Sequence, residues 1–135
     1  MNAIENKQIV QKIFAELAQG NSRPLVESMA EDFCWTVSGS NRWSGTYKGK
    51  DEVLNELLAP LRSRIEGRIK TIAHRFIAEG DFVVVEARGN NTTKDARPYN
   101  NSYCFVIRLA GGKLQEITEY MDTELVASVL GNSAA

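Results

Sequence analysis

Residues 97–123, "RPYNNSYCFVIRLAGGKLQEITEYMDT", contain two alternating segments joined by the turn Ala-Gly-Gly-Lys. Apolar, β-branched and aromatic residues at every second position are typical of strands with one buried face. A short Gly-rich turn between two such segments is typical of an antiparallel hairpin. The stretch therefore predicts strands over residues 99–109 and 114–122.

The preceding residues extend this hairpin into a sheet. Two further strands are predicted over residues 68–78 and 82–93, with "EGD" and "KDARP" as the turns that follow them. A shorter strand is predicted over residues 32–39, ending at Gly39. The Gly, Ser and Asn content of "SNRWSGTYKG", residues 40–49, predicts a loop.

The first half of the chain is otherwise helical. Apolar residues at helical spacing predict a helix over residues 4–18, and Ser22 and Pro24 predict a short helix that begins there and runs to Met29. A second long helix is predicted over residues 50–64, where Pro60 should kink or loosen it. Helices followed by antiparallel strands predict an α+β fold, with one domain over residues 1–135.

Composition and charge exclude several classes of protein. The net charge of the 135 residues is −1, and the basic residues 62–75 alternate with apolar ones, so nucleic acid is not an expected partner. No apolar run is long enough to span a membrane, and the N-terminus lacks the apolar core of a signal peptide. We therefore expect no membrane association and a cytoplasmic location.

The metal-binding and redox residue types are sparse. Cys34 and Cys104 lie far apart without a Cys-x-x-Cys motif, so we expect two reduced packing cysteines. His74 is the single histidine, and no spaced acidic cluster accompanies it. The sequence therefore predicts neither a metal site nor a cofactor.

Strand alternation predicts which side chains point into the fold. The bulky and aromatic set of the third long strand is assigned to the concave face: Tyr99, Asn101, Tyr103, Phe105, Ile107 and Leu109. The same alternation groups Phe33, Trp35 and Val37, and separately Val83, Val85, Ala87, Gly89 and Asn91. His74 lies in a strand whose faces the pattern does not distinguish.

Two faces of the last strand compete for the interior. One carries Gln115, Ile117, Glu119 and Met121, and the other carries Leu114, Glu116, Thr118, Tyr120 and Asp122. Glu119 and Asp122 are three residues apart, so a regular strand points them to opposite sides and they cannot form one acid/base pair. A β-bulge near Glu116 would reverse the choice of face.

The order of these elements and several short motifs resemble those of a known family. Two opening helices, "YKGKDEV" before the long helix, "AEGDFVVVEARG" and the final hairpin resemble the SnoaL-like and ketosteroid isomerase-like branch of the nuclear transport factor 2-like superfamily. The resemblance covers roughly residues 5–130. It implies a strongly curved sheet wrapped around the helices as a cone, with one apolar pocket.

The resemblance also implies a homodimer, and it favours the Ile117, Glu119 and Met121 face as the pocket lining. We expect the dimer to form through the outer sheet face, on the four residues Cys104, Val106, Thr118 and Tyr120. Asp122 is expected to start or cap the final helical turn at Thr123.

The residues of the best-known activities of this family are absent. The positions of the ketosteroid isomerase aspartate base and oxyanion pair fall at Val37, Ile13 and Phe105, which carry no polar group. Two of the three residues of limonene-type epoxide hydrolases fall at Ala87 and Gly89. Both mechanisms are therefore unlikely for this chain, whereas a SnoaL-like reaction that relies on one carboxylate is compatible with Glu119.

The functional hypothesis rests on Glu119. A carboxylate among apolar side chains is desolvated and its pKa rises, as a general acid or base requires. We expect the pocket to bind a small, largely apolar, oxygen-bearing molecule, with Glu119 catalysing isomerisation, cyclisation or dehydration. The predicted pocket residues are Trp35, Trp43, His74, Asn101, Tyr103, Phe105, Ile117 and Met121. The alternatives are a non-enzymatic carrier or sensor, and a dimerising adaptor with a filled core.

Overall fold

The N-terminal helix begins at a capping box. In the computed structural model, which describes residues 1–131, the Asn2 side chain accepts a hydrogen bond from the Glu5 amide at 2.8 Å, and the Glu5 carboxylate accepts one from the Asn2 amide at 3.1 Å. These two bonds satisfy amides that the first helical turn leaves unpaired. Helix α1 (Ala3–Leu17) then buries Val10, Ile13, Phe14 and Leu17 on one stripe.

The remaining elements follow in the predicted order, with a strand region between the first and second helical regions and a run of strands after them. They are α2 (Arg23–Ser28), β1 (Met29–Val37), β2 (Gly45–Lys48), α3 (Lys50–Glu52), a π-helical segment (Val53–Leu58), α4 (Ala59–Arg62), β3 (Thr71–Glu79), β4 (Phe82–Gly89), β5 (Asn91–Thr92), β6 (Pro98–Tyr99), β7 (Ser102–Ala110), β8 (Lys113–Met121) and α5 (Thr123–Leu130). The α+β class predicted from the sequence is confirmed.

Six strands form one curved sheet in the order β2-β1-β8-β7-β4-β3. All neighbouring pairs are antiparallel except β1 and β8, which are parallel. The N-terminal half therefore joins the sheet through β8, the strand that carries Glu119. Helix α1 lies on the concave face, where Phe14 contacts the rings of Phe76 and Phe105 with centroids 6.1 and 5.6 Å away.

Several sequence predictions of secondary structure need correction. Residues 45–48 form strand β2 instead of a loop, because their backbone pairs with β1 between Cys34 and Val37. The predicted strand over residues 82–93 divides into β4 and β5, and the predicted strand over residues 99–109 divides into β6 and β7. Ser22 makes no capping bond with its side chain, and the Arg23 amide instead donates to the Asn21 side chain at 3.2 Å.

The loosening predicted at Pro60 takes the form of a π-helical segment just before it. Pro60 has no backbone N–H, so the α-helical bond to the carbonyl four residues earlier cannot form. The chain widens over Val53–Leu58, and the Ala59 amide donates to the Leu54 carbonyl, five residues back. Val53, Leu57 and Leu58 are thereby buried together.

A β-bulge in β8 changes the alternation that the sequence predicted. Arg108 pairs with Glu116 but Leu109 pairs with Leu114, so Gln115 is the additional residue. Leu114, which simple alternation assigns to the outer face, is consequently fully buried. Ile117, Glu119 and Met121 keep the interior side, so the bulge does not reverse the choice of face.

Candidate functional site

A cavity of about 740 Å³ opens between the concave sheet face and the helices. Its walls come mainly from β1, β7 and β8, from α1, α2, α4 and the π-helical segment, and from α5. Most of the lining is apolar or aromatic, and Phe105, Trp35 and Ile117 belong to it. Cavities of this size and character bind small organic molecules in many proteins.

Glu119 is the carboxylate on the interior wall of this cavity. The Trp35 indole Nε1 donates a hydrogen bond to Glu119 Oε1 at 2.9 Å. Burial raises the pKa of Glu119 to about 7, against the smaller lowering effect of the Trp35 hydrogen bond. The Glu119 side chain is partly accessible because it faces the cavity, but it is remote from bulk water. It can therefore exchange a proton with a bound molecule near neutral pH.

Two tyrosines lie on the same wall. Tyr103 stacks on Phe105 with ring centroids 5.2 Å apart, and burial raises the pKa of Tyr103 well above its ordinary value. The Tyr99 hydroxyl oxygen accepts a hydrogen bond from the Asn101 side-chain nitrogen Nδ2 at 3.3 Å. Burial also raises the pKa of Tyr99, so both phenols keep their protons at neutral pH.

The structure places seven of the nine predicted site residues on the cavity wall. These are Glu119, Trp35, Trp43, Tyr103, Phe105, Ile117 and Met121. The other two, Asn101 and His74, lie elsewhere.

Asn101 is a structural residue and does not line the cavity. It is fully buried; its Oδ1 accepts from the amides of Ser102 at 2.8 Å and Asp122 at 3.0 Å, and its Nδ2 donates to the Asp122 carbonyl at 3.1 Å. The predicted role of Asn101 in ligand contact is therefore wrong. Its amide is consumed in joining the start of β7 to the end of β8.

His74 lies outside the cavity as well. It occupies the irregular register between Ala73 and Arg75 on the edge strand β3, and its side chain is exposed. The extra residue at this bulge turns the side chain away from the helices. The prediction that His74 lines the pocket is wrong for this geometric reason.

The two other carboxylates of the last strand region have structural partners. Glu116 forms an ion pair with Arg108 at 3.0 Å on the outer face. Asp122 accepts hydrogen bonds from the amides of Glu124 and Leu125, both at 3.1 Å, and so caps the N-terminus of α5. The predicted capping role of Asp122 is confirmed, and neither residue shares the cavity with Glu119.

Several lining residues were not among the predicted site residues. Tyr99 had been assigned to the concave face but not to the site, and it lines the cavity beside Tyr103. Val126 and Leu130 of α5 close another side, and Arg23, Arg62 and Arg68 lie at the opening. Alternation indicated Tyr99, but local sequence patterns gave no signal for Val126, Leu130 and the arginines, because they come from separate segments that only the fold brings together.

Helix α5 is fixed at both ends. At its C-terminal end, Arg97 donates to the carbonyls of Ser128 at 2.9 Å and Val129 at 2.7 Å, and Trp43 Nε1 donates to the Gly131 carbonyl at 3.1 Å. Cationic donors suit this end of a helix, where carbonyls lack partners. Trp43 thus joins the loop after β1 to the helix that closes the cavity.

Possible metal ligands do not cluster in the described part of the chain: within residues 1–131, no group of three or more His, Cys, Asp or Glu side chains is arranged to hold a metal ion. None of the helices within residues 1–131 combines the length and the apolar character that a membrane span requires.

Comparison with known proteins establishes the family. The model of the SnoaL-like domain matches residues 10–117, so the chain belongs to the SnoaL-like domain family. A comparison with curated protein sequences gives no match.

Solved structures agree with this fold. An NTF2-like protein from Burkholderia xenovorans LB400 is 30% identical, with 96% of this chain and 98% of that chain covered and a TM-score of 0.75. An NTF2-like protein of unknown function from Burkholderia pseudomallei K96243 is 20% identical, over 93% and 96% of the two chains, with a TM-score of 0.79. TerC, co-crystallised with polyporic acid, is 19% identical over 93% of this chain and 98% of its own, with a TM-score of 0.78.

Proposed function

We propose that this protein binds a small, largely apolar, oxygen-bearing molecule in the cavity and catalyses proton transfer on it, with Glu119 as the acid/base. Isomerisation, cyclisation and dehydration all belong to this class of reaction. The observation that carries the proposal is the Glu119 carboxyl group, held by Trp35 on the wall of an apolar cavity with a pKa of about 7.

The chemistry follows from the position of each proton. Glu119 as a carboxylate removes a proton from a carbon next to a substrate carbonyl: the C–H bond breaks, an O–H bond forms on Glu119, and the electron pair moves to the carbonyl oxygen as an enolate. The Tyr99 hydroxyl oxygen accepts a hydrogen bond from Asn101, so its own hydroxyl proton is available to the enolate oxygen. Glu119 then returns its proton to another atom of the substrate.

A carrier or sensor is the second candidate function. In ketosteroid isomerases, polar groups occupy the positions that correspond to Val37 and Phe105. Both residues are apolar in this chain and both line the cavity, which favours binding without catalysis. A single carboxylate also forms one good hydrogen bond to a hydroxyl or carbonyl-bearing ligand without reacting. An adaptor with a filled core is disfavoured by the cavity of about 740 Å³.

The proposal is tested by following hydrogen exchange. Native mass spectrometry of freshly purified protein first shows whether a molecule co-purifies. Three compounds are then tested as substrate or ligand. They are the co-purified molecule, 2-tetralone as a small enolisable ketone, and polyporic acid by similarity to TerC. For 2-tetralone in D₂O, deuterium incorporation next to the carbonyl is compared among the wild type, Glu119→Gln and Glu116→Gln.

If Glu119 transfers the proton, Glu119→Gln should lose at least a hundredfold in the enzyme-dependent rate of deuterium incorporation. General acid–base catalysis contributes about 10²–10⁴-fold to a rate. Glu116→Gln, on the outer face, should keep the wild-type rate. Binding without any exchange in the wild type would favour the carrier, and equal exchange in both variants would refute the role of Glu119.

We also propose that the chain forms a homodimer through the outer face of the sheet. Cys104 pairs with Tyr120 and Val106 with Thr118 across β7 and β8, and Val84 continues the row on β4. Tyr120 is 51% exposed, and Cys104, Val106 and Thr118 are half-buried. In sedimentation experiments, Val106→Glu should convert a dimer to a monomer, whereas Lys12→Gln, at an exposed position on α1, should not. A wild-type monomer at micromolar concentration would refute the proposal.

A further inference from the structure

The mouth of the cavity has a different chemistry from its interior. Five lining residues are exposed and therefore mark the opening: Arg23, Glu27, Arg62, Gly67 and Arg68. Four of these five are charged and three are arginines, whereas the interior lining is mostly apolar. All the basic residues of the lining are at this opening.

The charges at the mouth do not cancel. Arg23 Nε lies 3.2 Å from Glu27 Oε2, one helical turn along α2, so this pair is neutral. Among residues 1–131, no carboxylate forms an ion pair with Arg62 or Arg68. Two positive charges are left at the entrance of an otherwise apolar cavity.

These arginines converge from separate segments of the chain. Arg62 is the last residue of α4, Arg68 lies in the connection before β3, and Arg23 begins α2. The Arg68 stem is pressed against the turn after α1, where a Cβ built on Gly20 would lie 2.7 Å from Arg68 Cβ. Gly20 has φ +82°, so the turn and the close approach of Arg68 both depend on glycine.

We infer that the molecule bound here carries an anionic group, a carboxylate, sulfonate or phosphate, on an apolar body. The anion stays at the mouth beside Arg62 and Arg68, and the apolar body enters among Trp35, Phe105 and Ile117. This inference rests on the proposed function only in that the cavity holds a small molecule; it does not need Glu119 to be catalytic.

The placement of the anion follows from the cost of burying charge. An anion deep in the cavity would lose its hydration without a cation to replace it, and it would lie closer to the ionisable Glu119. At the mouth it keeps part of its water and gains two guanidinium donors, which suit planar or tetrahedral oxyanions. The arginines thus select both the class of ligand and the end that enters last.

A matched pair of fluorescent probes tests this inference. 8-Anilinonaphthalene-1-sulfonate and N-phenyl-1-naphthylamine share one apolar skeleton, and only the first carries a sulfonate. Both tryptophans of the chain, Trp35 and Trp43, line the cavity, so energy transfer from tryptophan detects either probe when it binds there, and the mouth variant assigns the signal to this site. Affinities are compared for the wild type, Arg62→Gln/Arg68→Gln and the control Arg75→Gln/Arg88→Gln, which removes two exposed charges from β3 and β4.

The wild type should bind the sulfonate more tightly than the neutral probe. Exposed ion pairs contribute about 0.2–1 kcal/mol each, so the double mouth variant should weaken sulfonate binding by about two- to thirtyfold. It should leave the neutral probe unchanged, and 0.5 M NaCl should weaken the sulfonate alone. The control variant should bind both probes like the wild type. Glutamine keeps the stem that packs on Gly20, and thermal unfolding checks that the variants are folded.

The other outcomes are decisive. Equal affinity for the two probes, or an equal loss of both in the mouth variant, overturns the inference while the cavity remains a binding site. Failure of both probes to bind overturns it together with the cavity on which it rests. Sulfonate selectivity without Glu119-dependent exchange refutes the proposed catalysis and supports the anion site.

Discussion

The Trp35 indole nitrogen lies 2.9 Å from Oε1 of Glu119, across the parallel pair of strands β1 and β8. The two residues are 84 positions apart in the sequence, and their strands come from opposite halves of the chain. In the register, Trp35 is opposite Ile117, so the indole reaches two residues along β8 to the carboxylate. This bond fixes the orientation of the one carboxylate on the interior wall of the cavity.

Stability should depend on pH through Glu119. Burial raises the pKa of Glu119 from 4.5 to about 7, so between these values the folded state binds more protons than the unfolded state. The free energy of unfolding should therefore fall as pH rises from 4.5 to 7 and level off above, by at most about 3 kcal/mol. Urea unfolding across this range checks the slope. Glu119→Gln should remove it, whereas Glu116→Gln should retain it, and a slope that survives in Glu119→Gln would contradict this origin.

Replacing the hydrogen-bond donor should shift the same titration upward. The Trp35 bond lowers the pKa of Glu119, so Trp35→Phe should raise that pKa above about 7. Carbon-13 NMR of the Glu119 carboxyl group during a pH titration measures the change. Trp43→Phe is the matched control, because Trp43 donates to the Gly131 carbonyl instead. A pKa unchanged in Trp35→Phe would show that the indole does not stabilise the carboxylate.

Asn101 should be a determinant of stability. Asn101→Ala removes the side-chain partners of the Ser102 and Asp122 amides and of the Asp122 carbonyl. Each such hydrogen bond contributes about 0.5–1.5 kcal/mol net, so we expect a loss of about 2–4 kcal/mol in the free energy of unfolding. Chemical denaturation measures it, with Asn90→Ala at an exposed position as the control. A loss below about 0.5 kcal/mol would refute this role.

Arg97 should control the opening of helix α5. Arg97→Gln removes the two donors to the Ser128 and Val129 carbonyls at the end of the helix. Amide hydrogen exchange over residues 123–130 should become about five- to tenfold faster, since such bonds contribute about 1 kcal/mol net. Amide hydrogen exchange in β7 of Arg97→Gln should not change. The control variant Arg75→Gln should leave exchange in α5 unchanged. Unaltered exchange in α5 of Arg97→Gln would mean that other contacts hold the helix.

The sequence by itself determined the order of elements and most of the buried faces. Alternation is a local property of a strand, so Trp35, Val85 and Phe105 were placed on the interior side correctly. Asp122 was also predicted from its position before the final helical turn, because capping involves neighbouring residues. Among the carboxylates, alternation together with the family resemblance was sufficient to separate Glu119 from Asp122.

The features that depend on segments distant in the sequence were decided only by the tertiary structure. The bulge at Gln115 buries Leu114, and the bulge at His74 leaves that residue exposed, because the register of a strand is set by its neighbours. Asn101 looks like a ligand contact in its strand, yet its amide is used by the backbone of Ser102 and Asp122. Arg62 and Arg68 carry no motif; both lie at the cavity mouth because Arg62 ends α4 and the Arg68 side chain packs against the turn after α1. Alternation and capping depend on adjacent residues. A cavity depends on how segments that are remote in the sequence pack, because it is the space that remains between their surfaces.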